Sequence, residues 1–177
     1  MKLHLGCGDK SIEGFINVDI RPKDGIVDLV DDISKLKSIE KNSIELIYAC
    51  HVLEHFNRFE YLGVLKRWYE LLTDGGILRL SVPDLGKVME MNNQGTPLTK
   101  LMGFLYGGQT YKYNYHYVGF DFETLKNSLL ECGFKEVRLW DWRKTKHSQV
   151  DDFSQAYLPH MDKENGTLMS LNIEAIK

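Results

Sequence analysis

The sequence predicts a single α/β domain built on a mostly parallel sheet with helices on both faces. Three observations predict it. Apolar periodicity alternates between strand and helix along the chain. The run Glu45–Cys50 (ELIYAC) is apolar almost throughout, as befits a strand covered on both sides. A length of 177 residues suits one core, able to bury about 70% of the unfolded surface.

The elements follow in order. Lys2–Leu5 is a short strand ending at Gly6. Phe15–Asp19 is the second and Gly25–Val30 the third. Glu45–Cys50 is the fourth. Across Arg58–Leu72 the period changes: Leu62, Leu65, Tyr69 and Leu72 recur every three or four residues, one stripe of a helix, and Gly75-Gly76 stops it. Ile77–Val82 is the fifth strand. Asp121 can cap a helix with Phe122, Leu125 and Leu129 on its buried stripe and Gly133 past its end. Glu136–Trp140 is the sixth strand. Leu168–Ile176 is the last, with Met169, Leu171, Ile173 and Ala175 facing one way. Two stretches exceed a minimal domain, an aromatic-rich insertion at about 92–117 and a long loop at about 141–166. Both should leave the carboxyl edge of the sheet, where open α/β sheets bind ligands.

Composition narrows the function. Hydrophobic residues make up 43% and charged residues 27%, an ordinary globular balance. The longest apolar runs fall far below the roughly 20 residues of a membrane span. No secretory signal is expected ahead of Lys2–Leu5. Cys7, Cys50 and Cys132 are odd in number and far apart, which argues against disulfides and a zinc site and for a reducing cytoplasm; no metal is expected. A net charge of −3 offers no attraction to nucleic acid, and the basic run Arg143–Lys146 reads as a solvated loop.

Leu3–Asp9 (LHLGCGD) is a strand entering a Gly-x-Gly turn, which bends sharply and leaves room for a ligand against the main chain. Asp19, at the tip of the second strand, can accept hydrogen bonds from both hydroxyls of a ribose. Asp31-Asp32 follows the third strand and suits the amino group of an adenine.

Together LHLGCGD, FINVDI, VDDI, ACHVLEH and GGILRLSVPD resemble the class I, Rossmann-like S-adenosylmethionine (SAM)-dependent methyltransferases, in particular small bacterial and phage-type members associated with surface glycans. The resemblance runs in order from Met1 to about Asp84, and resumes at Tyr117–Trp140 and in the final strand. It implies SAM as cofactor. By position, Leu5, Gly6, Cys7 and Gly8 should border its methionine part. Asp19 should hold the ribose, with Ile20 against the adenine. Asp32 should bond the adenine amino group near the Ile33 backbone, and Cys50, His51 and Leu53 should floor the sulfonium. The last strand would be antiparallel, at the sheet edge. Two departures stand out. His4 occupies a position where many members carry an acid, and only Gly6–Gly14 joins the first two strands, so the first helix should shrink to about a turn or the strands should not be neighbours.

A hydroxyl acceptor needs a base. His116, in the tyrosine-rich run Tyr111–Tyr117, is the first candidate; His51, His160, His55 and Asp162 are reserves. The tyrosines can stack on a sugar ring, attract a sulfonium or simply pack as a lid. No DPPY or NPPY motif follows the fourth strand, so base N-methylation is not expected. The expected acceptor is a small polar molecule such as a sugar hydroxyl or glycan precursor, and the oligomeric state is open. Two rivals are a non-catalytic relative that binds SAM or a glycan and an NAD-dependent sugar oxidoreductase. The oxidoreductase would need a third glycine where Ser11 stands.

Overall fold

A computed structural model describes all 177 residues, Met1–Lys177. One sheet contains β1 (Lys2–Leu5), β2 (Ile16–Asp19), β3 (Leu29–Val30), β4 (Ile44–Cys50), β5 (Leu72–Pro83), β6 (Glu136–Leu139) and β9 (Ser170–Ile176). Their order is β3-β2-β1-β4-β5-β9-β6. A separate two-stranded ribbon pairs β7 (Tyr157–Leu158) with β8 (Thr167–Leu168). Strands β1 to β5 are parallel, whereas β9 runs antiparallel to both β5 and β6. The last strand is therefore antiparallel as expected, but lies one place in from the edge. Six of its seven residues are buried, an environment only an interior strand provides.

Register divides the sheet into two unlike faces. Leu3, Ile47, Leu78 and Ala175 share one row, and Leu5, Ala49, Leu80 and Ile173 the next. Against this apolar face pack α1 (Tyr61–Leu71) and α4 (Phe122–Glu131), through Val64, Leu65, Trp68, Leu71, Leu125 and Leu129 in one buried cluster. Asp121 caps α4 as its spacing predicts, accepting from the Thr124 N–H at 2.8 Å.

The opposite face carries His4, Asn17, Tyr48, Arg79, Asn172 and Glu174. Here the expected helical layer is replaced by residues 140–156, which contain only short 3-10 turns at Trp142–Lys144 and Phe153–Gln155. The physical reason is the cost of burying unpaired polar groups. An apolar helix stripe would leave these side chains without partners, whereas the loop supplies them. Tyr48 donates to Asp152 Oδ2 at 2.7 Å and Asn172 to the Ser154 carbonyl at 2.9 Å. Trp140 donates to the Leu80 carbonyl at 2.9 Å and lies under the Arg79 guanidinium. Arg79 in turn bonds Glu174 Oε1 at 2.6 Å.

Boundaries differ from expectation in several places: the final strand starts at Ser170, with Leu168 in the separate ribbon, and β6 stops at Leu139. Strand β3 keeps only two residues, because Asp28 turns its carboxylate to the Asn17 N–H at 2.8 Å. Helix α1 ends at Leu71, so the Gly75-Gly76 pair falls inside β5. The 92–117 region is partly helical. Helix α2 (Leu85–Asn93), capped by Asp84, runs into it, and α3 (Met102–Tyr106) lies within it. Both pack in a small cluster around Val88, Leu101 and Met169.

The β1–β2 connection settles the question of the short link. The strands are immediate parallel neighbours, and Gly6–Phe15 holds turns with no helix, even the single turn expected. Asn17 takes over the missing helix's role of satisfying the backbone, accepting from the Ile12 N–H at 2.8 Å and donating to the Phe15 carbonyl at 3.3 Å. Gly6 and Gly8 are left-handed, at φ 64° and 56°. A Cβ on Gly6 would sit 2.5 Å from Val52 Cγ2, whereas one on Gly8 would meet nothing closer than Arg21 Nη2 at 3.9 Å.

Gly6→Ala therefore combines left-handed strain with overpacking and should cost about 2–5 kcal/mol, against about 1–2 kcal/mol for Gly8→Ala. Urea unfolding of the two variants checks this; equal stabilities would remove the Val52 contact as the cause. A second prediction concerns His147, 6% exposed against Tyr48. Burial first, and then the Arg79 charge, bring its pKa down to about 4. Above pH 6.5 it is neutral whether folded or unfolded. As pH falls towards 4 only the unfolded chain gains the proton, so about 3 kcal/mol of stability is lost across that window. His147→Gln should flatten the slope of stability against pH there; an unchanged slope would assign it to other groups.

Candidate functional site

Strand order places a switch point between β1 and β4, where successive crossovers leave in opposite directions. Ligands of open α/β sheets bind outside the carboxyl ends of the strands at such a point. A cleft of about 1530 Å³ opens there. Of the residues singled out from sequence, Gly6, Cys7, Gly8, Asp19, Ile20, Asp32, Ile33, Cys50, His51 and His160 line it, as does His55. Leu5 and Leu53 do not; both are fully packed in the core behind it. His116 does not line it either.

The two acids differ in how firmly they are held. Asp19, 6% exposed, accepts the Gly8 N–H on Oδ2 at 2.9 Å and the Arg21 N–H on Oδ1 at 2.9 Å. The Arg21 side chain adds a longer contact at 3.3 Å while lying over the Tyr111 ring. A carboxylate offers about four lone-pair sites, so Asp19 retains acceptor capacity toward the cleft. Asp32 is bound through Oδ1 by Ser34 and through Oδ2 by the exposed Lys35. Its pKa is held below the usual carboxylate range by these bonds, against the opposing effect of burial.

At the end of β4 the backbone turns through His51 at φ 51°, a left-handed conformation uncommon for a side chain of this size. Ser170 Oγ donates to the Phe153 carbonyl and so accepts from His51 Nε2 at 2.8 Å. That network leaves the His51 Nδ1 lone pair facing Glu54 Oε1 at 3.5 Å. Burial, followed by the neighbouring His116 and His55, lowers the His51 pKa to about 3. Glu54 is 1% exposed, and burial raises its carboxyl to about 8.

His116 joins this buried group instead of the cleft. Its Nδ1 donates to the Phe104 carbonyl at 3.0 Å, and its Nε2 lies 3.8 Å from Glu54 Oε1. His55 makes the matching bond to the Tyr115 carbonyl at 2.9 Å. Neither cleft thiol is poised as a nucleophile. Burial chiefly raises Cys7 to about 11 and lifts Cys50 well above its ordinary value.

Several lining residues were not anticipated individually. Val52 and Arg21 flank the opening turn. From the long loop come Asp151, Asp152, Phe153 and Gln155–Tyr157, along with Met161. Tyr111, Lys112, Tyr113, Asn114 and Tyr117 come from the insertion, while Asp162 stays out of the lining. Loop length and aromatic content flagged both segments, but no local period assigns a loop residue to a wall.

No family model matches the chain, and no curated protein matches it by sequence. Solved structures do match. A SAM-dependent methyltransferase from Archaeoglobus fulgidus superposes with a TM-score of 0.62 at 18% identity, over 99% of this chain and 85% of that one. The 1,6-didemethyltoxoflavin-N1-methyltransferase of Burkholderia thailandensis, solved with S-adenosylhomocysteine, gives 0.61 at 17% over 99% and 70%. A SAM-dependent methyltransferase from Mesorhizobium loti gives 0.57 at 16% over 99% and 90%. The chain thus has the single-domain, seven-stranded Rossmann-like fold found in these SAM-dependent methyltransferases.

Proposed function

We propose that the chain transfers a methyl group from SAM to a small polar acceptor, with a sugar hydroxyl as the acceptor best suited to the aromatic insertion. One observation carries the reading. The carboxylates at the tips of β2 and β3 and the open side of the glycine turn after β1 converge on one cleft, in a fold shared with SAM-dependent methyltransferases. When bound, the cofactor supplies an activated methyl group on a sulfonium, passed in line to the acceptor.

The chain's own residues have distinct tasks in this reading. Gly8, over which a Cβ would meet only the half-exposed Arg21 guanidinium at 3.9 Å, admits the methionine part beside Cys7. Asp19 takes the ribose hydroxyls, displacing the half-exposed Arg21 guanidinium. Asp32 receives the adenine amino group, with Ile20 and Ile33 against the ring. Cys50 and His51 floor the reacting end. Tyr113 and Tyr117 offer faces for a sugar, whereas the face of Tyr111 is already covered by Arg21. As an acceptor hydroxyl forms its bond to carbon, its proton passes to His160, the exposed imidazole of the cleft wall. His116 and His51 are less suited, since one nitrogen of each ring is bonded to a buried partner, the Phe104 carbonyl and Ser170 Oγ, and the other is turned toward Glu54. That commitment also favours a second reading, binding of SAM without turnover.

No helix is long and apolar enough to cross a membrane. All three cysteines are free, in keeping with a reducing, cytoplasmic setting. The partners of this reading are small molecules, and no nucleic acid is among them.

Asp19→Asn keeps one acceptor oxygen for Gly8 but loses the charge. Asp19→Ala removes both and should weaken S-adenosylhomocysteine binding by about 2–4 kcal/mol, roughly 30- to 700-fold, with Asn intermediate. Calorimetry showing unchanged affinity in both would take Asp19 out of the cofactor site. His160→Ala should lower turnover about 100-fold with cofactor affinity intact. Full turnover in that variant would move the proton acceptor elsewhere, and the absence of labelled methyl transfer to any metabolite in an extract would favour binding alone.

A further inference from the structure

We propose that Glu54, His55 and His116 form a site for one divalent first-row transition cation of the Zn2+, Mn2+, Fe2+, Co2+ or Ni2+ class. The assignment is independent of methyl transfer. One ligand atom from each residue lies within 4.8 Å of the others, close enough for a single ion to reach all three with small side-chain adjustments.

Two further observations point to a ligand. The Glu54 side chain is 1% exposed, and neither of its carboxylate oxygens has a hydrogen-bond partner. A buried, unpaired carboxylate is costly unless a proton or a cation neutralises it. The two histidines are also oriented alike. Each donates Nδ1–H to a main-chain carbonyl, Tyr115 for His55 and Phe104 for His116. That bond fixes the tautomer in which Nε2 carries a free lone pair, the arrangement by which proteins orient metal-ligating imidazoles. His51 presents a third unprotonated ring nitrogen to Glu54 at 3.5 Å. Lone pairs of His51 and His116 thus face the Glu54 carboxyl group, where a cation can take the place of the proton that a buried carboxylate otherwise needs. Two imidazoles and a carboxylate suit borderline cations and disfavour Mg2+ or Ca2+, which select oxygen.

Cysteine spacing, on which the expectation of no metal rests, does not bear on this set, since His55 and His116 lie 61 positions apart in sequence. Held there, the cation joins the turn after β4 to the insertion, beside the Tyr117 N–H bond to the Glu54 carbonyl at 2.8 Å.

The test uses the full chain stripped by a chelator. Titration with Co2+ followed by visible absorption, and with Zn2+ by calorimetry, should give one ion per chain and a raised melting temperature. Loss of a ligand's supporting bond alone costs about 10- to 100-fold in metal affinity, so Glu54→Gln and His116→Gln should each lose about 100-fold or more. His147→Gln, which alters a buried histidine elsewhere, should bind as the parent does. Without metal, Glu54→Gln should be about as stable as the parent, because a neutral amide takes the place of a buried carboxyl group that has no partner, so its loss of binding cannot be put down to misfolding. Failure of Co2+ and Zn2+ to bind at micromolar concentration, or full binding by Glu54→Gln, overturns the site. S-adenosylhomocysteine binding by the stripped chain reports on the cofactor reading separately.

Discussion

The packing of the Val52 side chain against Gly6, so close that a Cβ would sit 2.5 Å from Cγ2, is the constraint on which the rest of the site depends. It brings the turn leaving β1 onto the turn leaving β4, the two strands that flank the switch point. From there the neighbouring groups are fixed by short bonds. The Gly8 N–H is turned to Asp19, and Cys7 N–H bonds the Val18 carbonyl at 3.1 Å. On the other side the chain runs from Val52 through a 3-10 turn at Leu53–His55, which buries Glu54. A side chain at position 6 would wedge both sets of groups apart at once.

The unlike faces of the sheet explain how so few helices suffice. Two helices cover the apolar side, where burial of Leu, Ile and Trp side chains supplies roughly 1.5–3 kcal/mol each. The polar side draws instead on directed contacts, the Arg79–Glu174 pair, the Tyr48–Asp152 bond and the mutually tilted rings of His4, Tyr48 and His147. Such a layer has to be matched group by group, and a long irregular loop can do that more readily than a helix of fixed pitch. The same loop then continues into the cleft wall through Asp152 and Phe153, so covering the sheet and shaping the site are done by one segment.

Much of this was legible in the residues. Alternation in the final strand and the Asp121 cap identified β9 and α4 because each is a local pattern. The acids at the tips of β2 and β3 were legible because a strand's end is marked by its own sequence. Less visible was the covering of the polar face, although His4 and Tyr48 already sit on alternate positions of their strands. Reading it requires the register between strands, which no single segment contains. His116 was misplaced for a related reason. Its neighbours in sequence are tyrosines of the cleft wall, yet its ring is turned inward by the Phe104 carbonyl and faces Glu54. The partner that decides its role comes from the turn after β4.

The brevity of β3 has a consequence for the molecule as a whole. An open sheet has two unpaired margins, and a long flat one invites strand addition by another chain. Here one margin offers only Leu29 and Val30, while the other, β6, places Glu136 and Arg138 at the rim with their charges paired. Neither presents an extended ladder of free N–H and carbonyl groups, so growth of the sheet from molecule to molecule is disfavoured at both ends.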